Sequence, residues 1–177
     1  MSAATADVSR SALVNGPAVH PERLAEALGL LPVGLHVVTA FAEGKPAGLL
    51  CGWVTQASWT PPLIAIAVGR GKHTHQAISD SGAYAVNLLR EEQTDIARVF
   101  GAKSGRDANK FAGLDWRQGR TGSPLLEGTA GYLDCRVTQR HEIGDHSLFV
   151  GEIVQAASFA QQCLVYQREV HQSLFVE

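Results

Sequence analysis

Residues Cys51 to Gln76 read CGWVTQASWTPPLIAIAVGRGKHTHQ, and the punctuation of this stretch sets the architecture expected of the whole chain. Trp53 to Ser58 alternates apolar with polar residues. Thr60-Pro61-Pro62 stops that ladder, because consecutive prolines supply no backbone N–H. Leu63 to Val68 is an unbroken apolar run, too short for a lone helix and suited to a strand buried on both faces. Gly69-Arg70-Gly71-Lys72 must then turn sharply, with Thr74 expected as the N-cap of a helix through His75-Gln76-Ala77-Ile78. Two glycines and a lysine ending on a helix start gather free N–H groups and positive charge, the conditions for holding a phosphate.

Outward from this stretch the pattern stays mostly β. Upstream, His20-Pro21-Glu22-Arg23 opens a short helix striped by Leu24, Leu28 and Leu31, and Pro32-Val33-Gly34 ends it. Leu35 to Phe41 reads as a strand, Glu43-Gly44-Lys45-Pro46 as a hairpin turn, and Ala47 to Thr55 as the returning strand. Downstream, Asp80-Ser81-Gly82 is a helix stop before the alternating strand Ala83 to Leu89. Glu91 to Phe100 is the clearest helix, with Ile96, Val99 and Phe100 on one face. Gly101 to Gly113 reads as a loop with at most one helical turn, and Arg117 to Gly128 as a glycine-rich connection. Tyr132 to Arg140 and Ser147 to Ala157 are long strands flanking a turn at Glu142 to His146, followed by a short strand Leu164-Val165-Tyr166 and a tail from Val170 to Phe175. Six or seven mainly antiparallel strands with two or three short helices give a mainly β fold, a small Greek-key barrel.

A chain of 177 residues, 45% apolar and 18% charged with a net charge of -2, is expected to form one ordinary globular domain over 20–177, with 1–19 as a flexible arm. The balance gives no footprint for nucleic acid, and no apolar run reaches the roughly 18 residues that span a bilayer. Met1 to Pro17 lacks the apolar segment of a signal peptide. Cys51, Cys135 and Cys163 are odd in number and widely spaced, which points to free buried thiols and a cytoplasmic setting. Seven histidines raise a metal site, but His73 and His75 diverge at a helix start, and no carboxylate stands at ligand spacing. His20, His141 and His171 are expected at the surface and His36 packed in its strand. Gly-x-Ser-x-Gly, Walker A and Gly-x-Gly-x-x-Gly sequences are absent, and Cys51 and Cys135 read as inert strand thiols.

Several short pieces occur in one order: Pro32-Val33-Gly34 with Val37-Val38-Thr39, Val54 to Ser58, Pro61-Pro62-Leu63 and Val86-Asn87-Leu88-Leu89. Gln93, Ala97, Phe100-Gly101, Lys110-Phe111, Gly122-Ser123-Pro124-Leu125, Cys135 and Gly144-Asp145-His146 before Gly151 continue the series. Over roughly Leu31 to Leu174 the chain resembles the flavin reductase-like, FMN-binding split-barrel family. The resemblance implies a homodimeric split barrel that binds FMN or FAD near the subunit interface and takes NADH or NADPH as electron donor. Trp53, Val54, Thr55, Gln56, Ala57 and Ser58 would line the isoalloxazine and ribityl chain, and Gly71, Lys72, His73 and Thr74 would meet the phosphate. Phe100, Lys103 and Phe111 would close the pocket, and His146 would stand on the nicotinamide side as the catalytic-site residue, its imidazole donating a hydrogen bond to the carboxamide or a phosphate.

Three departures from that pattern stand out: bulky Trp53, Asn109 in place of an acidic residue, and His36 in an otherwise aliphatic strand. The implied activity is hydride transfer from nicotinamide C4 to flavin N5, with the reduced flavin feeding a separate monooxygenase. A non-catalytic flavin electron carrier and a haem-binding split barrel are the alternatives.

Overall fold

The computed structural model describes residues 20–102, 105, 108–159 and 162–166. The expected arm over 1–19, Lys103, His171 and the tail from Val170 lie outside the described residues. The chain divides into two units, after Leu31. Within the first, α1 (Pro21–Gly29) begins with its proline in the first turn, as read from sequence, and buries none of its residues.

The second unit is built on one seven-stranded antiparallel sheet in the order β2-β1-β5-β8-β9-β4-β3, with a two-stranded sheet β6-β7 beside it. The strands are β1 (His36–Ala42), β2 (Lys45–Cys51), β3 (Val54–Ser58), β4 (Leu63–Gly69), β5 (Ala83–Leu88), β6 (Trp116–Gln118), β7 (Pro124–Leu126), β8 (Gly131–Ile143) and β9 (His146–Ser158). Two helices interrupt them, α2 (His73–Ser81) and α3 (Thr94–Ala102). β1 and β2 are joined by Glu43 and Gly44 at φ 52° and 74°, the left-handed pair that a two-residue hairpin turn demands. No helix among the described residues is long and apolar enough to cross a membrane.

One long strand from Ala47 to Thr55 is not what forms. The ladder with β1 ends at Cys51, and after Gly52-Trp53 the chain pairs with β4 at the opposite end of the strand order. The two ends of the sheet meet there. Ala67 N–H donates to the Trp53 carbonyl at 3.0 Å, and the Cys51 thiol lies 3.8 Å from the Ala67 carbonyl. This contact curls the sheet into a barrel, while β3 beyond it pairs with β4 alone among the described strands.

The apolar run Leu63–Gly69 sits between β9 and β3 with Ile64, Ile66 and Val68 in the main core beside Val38, Tyr84 and Phe149. Burial pushes the Cys51 thiol up to about 12 and raises Cys135 as well, so both are inert as read. Cys163, by contrast, is exposed. The clearest helix starts later than expected, at Thr94, because the Gln93 side chain accepts from Arg90 N–H and closes a turn first. Its buried face is Ala97 and Phe100, and Val99 is 40% exposed. The glycine-rich connection contains β6 and β7, which the sequence reading missed.

Candidate functional site

Three segments converge at one rim of the barrel. β4 ends at Gly69, which pairs with His146 at the start of β9. Gly69-Arg70-Gly71-Lys72 then turns into α2, and Lys72 N–H closes the turn on the Gly69 carbonyl at 3.0 Å. Arg70 fastens this turn to the β8–β9 hairpin: its N–H donates to the Asp145 carbonyl at 3.1 Å, and its guanidinium bonds the Gly144 carbonyl and pairs with Glu142 at 3.4 Å. The third segment is Trp53 at the entry to β3, whose indole lies 4.7 Å from the His146 ring, tilted by 44°.

The helix cap falls two residues before the expected one. Lys72 is the N-cap, no side chain caps the helix, and Thr74 is buried inside the first turn. Thr74 as N-cap is therefore corrected: once Lys72 has closed on Gly69, His73 is already helical. The consequence for chemistry is favourable. The N–H groups of His73 and Thr74, the first two of α2, precede the first hydrogen bond of the helix (His75 to Lys72) and receive no side-chain cap, with exposed Gly71 and Lys72 beside them. A glycine at 71 leaves open space, since nothing lies within 4 Å of the position a Cβ would take. The residues present fit a phosphate.

His146 is held with a defined tautomer. Its Nδ1 is 2.7 Å from Asp145 Oδ1, and the hydrogen bond from His146 holds the Asp145 carboxyl below the usual range. An ionised carboxylate only accepts, so Nδ1 carries a proton, and in the neutral form of the ring Nε2 would be left as an acceptor. A protonated ring would instead donate from Nε2. Gly69 forms the floor here: a Cβ on it would lie 3.7 Å from His146 Nε2 and 3.5 Å from Lys72 Cγ, so the turn lysine and the histidine face one small space.

On β3, Thr55, Gln56 and Ala57 are exposed, Val54 and Ser58 half-buried, and Trp53 60% exposed. His73 lines a cleft of about 690 Å³ with Lys45, Gly48, Asn109, Lys110 and Trp116, and its Nδ1 is buried without a partner among the described residues. Phe100 and Phe111 do not close a pocket together. Phe100 is 1% exposed and packs edge-on to Phe111 at 5.3 Å in a second core cluster. A Cβ at Gly48 would stand 2.6 Å from the Phe100 ring, so the missing side chain is what admits that ring to the core. Phe111 keeps only an edge on the cleft.

Buried Lys110 donates to the carbonyls of Phe100 at 2.9 Å and Gly48 at 3.2 Å. Burial, with the charge of Lys72 adding to it, lowers its pKa to about 8.

Sequence reasoning missed His75, Ser147, Glu142 and Arg140, which link α2 to the hairpin. The sequence offers His75 only as a metal ligand, because its partner lies 72 positions away.

Residues 28–174 match the family described as flavin reductase like domain, and the chain belongs to that family. The reductase subunit HsaB of a flavin-dependent monooxygenase from Mycobacterium tuberculosis is 36% identical over 135 residues, 76% of this chain and 71% of that protein. A flavin reductase of Pseudomonas putida is 32% identical over 86% of this chain and 85% of its own length. Among solved structures, the NADH:FAD oxidoreductase SgcE6 of Streptomyces globisporus C-1027, in complex with NAD and FAD fragments, superposes with a TM-score of 0.76 at 30% identity, covering 86% of this chain and 93% of that one.

Proposed function

We propose that the rim formed by β3, the start of α2 and the β8–β9 turn holds a flavin beside a reduced nicotinamide. The observation that carries this reading is the uncapped N-terminus of α2 with Lys72, facing His146 across Gly69. Family membership makes the chain an NAD(P)H:flavin oxidoreductase. A flavin, FMN or FAD, supplies the redox chemistry when bound, by accepting hydride from the nicotinamide. The protein's part is to bind and orient.

Gly71, Lys72, His73 and Thr74 would take the flavin phosphate, Lys72 by its charge and the helix start by its N–H groups. Thr55, Gln56 and Ala57 would lie along the isoalloxazine, where β3 carries no further strand among those described. Trp53 covers one side of the His146 ring and narrows the approach to it. His146 Nε2 would accept from the nicotinamide carboxamide N–H, with Asp145 keeping the proton on Nδ1. Both groups would also order the second substrate without supplying an acid or base.

The reduced flavin would feed a separate monooxygenase; the Mycobacterium relative is itself the reductase subunit of a flavin-dependent monooxygenase. A homodimer would complete the open side of the site. Light scattering should give twice the 18.9 kDa chain mass, and a monomer with flavin still bound would remove the pairing from the proposal.

Fluorescence titration with FMN and FAD, followed by steady NADH and NADPH oxidation, tests the function. Saturable quenching with turnover is expected. Quenching without turnover would make the chain an electron carrier, and no quenching would end the flavin reading. In the same assay His146→Ala should lower kcat/KM for the nicotinamide by about 1–2 kcal/mol, with flavin affinity and Tm near wild type. A fall in Tm with unchanged kinetics would confine His146 to capping the hairpin.

A further inference from the structure

Beneath the rim runs a polar chain, buried at His75 and Ser147 and exposed at Glu142 and Arg140, that the proposed chemistry does not use. His75, on the first turn of α2, is 5% exposed, and its N–H donates to the Lys72 carbonyl at 3.1 Å. Its Nε2 lies 2.8 Å from the hydroxyl of Ser147, which is fully buried and directly follows His146 on β9. The Ser147 hydroxyl in turn donates to Glu142 Oε1 at 3.1 Å.

The direction of this chain is fixed by proton counting. Arg140, donating to Oε1 at 3.0 and 2.6 Å, holds the Glu142 carboxyl below its usual range, and Arg70 pairs with Oε2 at 3.4 Å. An ionised Glu142 accepts only, so the single hydroxyl proton of Ser147 goes to it. The bond from His75 is then one in which Nε2–H donates. Burial first, then the positive charge of Arg140, lowers the pKa of His75 against the opposing pull of Glu142, which favours the neutral Nε2–H tautomer.

The chain also returns to its starting helix. Arg140 Nη1 donates to Ser79 Oγ at 3.0 Å, and Ser79 donates to the His75 carbonyl at 2.9 Å. Phe149 lies within this loop, with the His75 ring 5.2 Å from its centroid and Arg140 5.5 Å from it.

Its place in the molecule gives this loop a role. His75 follows Lys72, His73 and Thr74, and Ser147 follows Asp145 and His146. A buried hydrogen bond from His75 thus joins the first turn of α2 to the hairpin, while the exposed Arg140–Ser79 bond holds the later part of the helix and the Arg70 bonds tie the turn before it. We infer that His75 and Ser147 are positioning residues that set the separation between the two halves of the rim. The inference rests on the proposed flavin and nicotinamide sites. Neither side chain need touch a substrate, and a loosened bond would move His146 relative to the helix start. Misplacement of reacting partners by about 1 Å is enough to cost a large factor in rate.

His75→Phe and Ser147→Ala each remove the bond, while His75→Gln keeps an N–H donor near the place of Nε2. Flavin Kd, Tm, and kcat and KM for NADH at saturating flavin are measured for each. Both bond-removing variants should lose about tenfold in kcat with flavin Kd changed by less than about threefold, and His75→Gln should return to within about threefold of wild-type kcat. Wild-type kcat in folded His75→Phe and Ser147→Ala overturns the inference and leaves the function standing. An equal loss in His75→Gln and His75→Phe also overturns it, because the donor then does not matter. If His75→Phe does not fold, Ser147→Ala decides alone, and failure of both to fold makes the bond a requirement of folding and rejects the positioning role. A wild-type protein that binds no flavin or oxidises no NADH rejects the proposed function, and the inference falls with it.

Discussion

Lys72→Ala is expected to weaken flavin binding about tenfold to a hundredfold, or about 1–3 kcal/mol, while turnover at saturating flavin stays close to wild type. The separation of the two effects follows from where the lysine sits. It is the exposed N-cap of α2, at the end of the site where the helix presents its first N–H groups. Its charge would meet the phosphate end of the flavin and leave the ring end alone. Lys72→Arg should keep most of the affinity, and the gap between wild type and Lys72→Ala should narrow as salt rises, because an exposed charge is screened. Thr74 is excluded from this test: at 2% exposure it belongs to the first turn of the helix, and its loss would perturb the fold. Unchanged flavin affinity in Lys72→Ala would move the phosphate away from this turn. Lys45, which shares the cleft with His73, would then be the next residue to replace, since Lys110 already donates to two carbonyls.

The elements that the sequence made legible are those whose signals are local. The run Leu63 to Val68 has strand length and flanking turns, and it became β4; Glu43-Gly44 has hairpin chemistry, and it became a left-handed two-residue turn. Gly82 ends α2 in the left-handed conformation, as Asp80-Ser81-Gly82 suggested. What stayed hidden depends on partners far along the chain. Nothing in the alternation through Cys51-Gly52-Trp53 tells that the chain passes from one end of the sheet to the other, because closure is a relation between β2 and β4. β6 and β7 are three residues each, too short for a period-two pattern, and they exist through pairing with each other.

The site divides in the same way. The 69–72 turn and the 144–146 hairpin were visible as glycine-bearing punctuation, and the structure brings them together through the ladder between Gly69 and His146. Phe100 shows the limit of transferring a role by resemblance. Its place in the series of family residues suggested a pocket wall, but the absent side chain at Gly48 opens a hole in β2 that the ring fills. The His75–Ser147 bond was beyond reach for a further reason: a histidine near a helix start carries no mark of whether it faces solvent, a metal or a serine on another strand.

Stability should fall by about 3 kcal/mol as pH drops from about 6.5 to about 4 through His36 alone. The Cε1–Nε2 edge of the His36 ring lies against Gly34, where a Cβ would be 2.6 Å from both atoms, and its Nδ1 is buried without a hydrogen-bond partner among the described residues. Burial lowers its pKa to about 4 from 6.5 in the open chain. Between those values the unfolded chain binds a proton that the folded one refuses, so stability rises with pH across the window. The contribution is complete above about 6.5 and is lost progressively on acidification toward about 4, below which both states are protonated. His75, whose pKa is also lowered, acts in the same direction, so the wild-type curve alone would not isolate His36. His36→Phe keeps a ring over Gly34 and removes the titration. Urea unfolding at about pH 7 and about pH 4.5 should show the variant gaining on the wild type by most of that 3 kcal/mol at the lower pH. Parallel curves for the two proteins would mean that His36 finds water or a partner in solution, and that the proton is not excluded from the folded state.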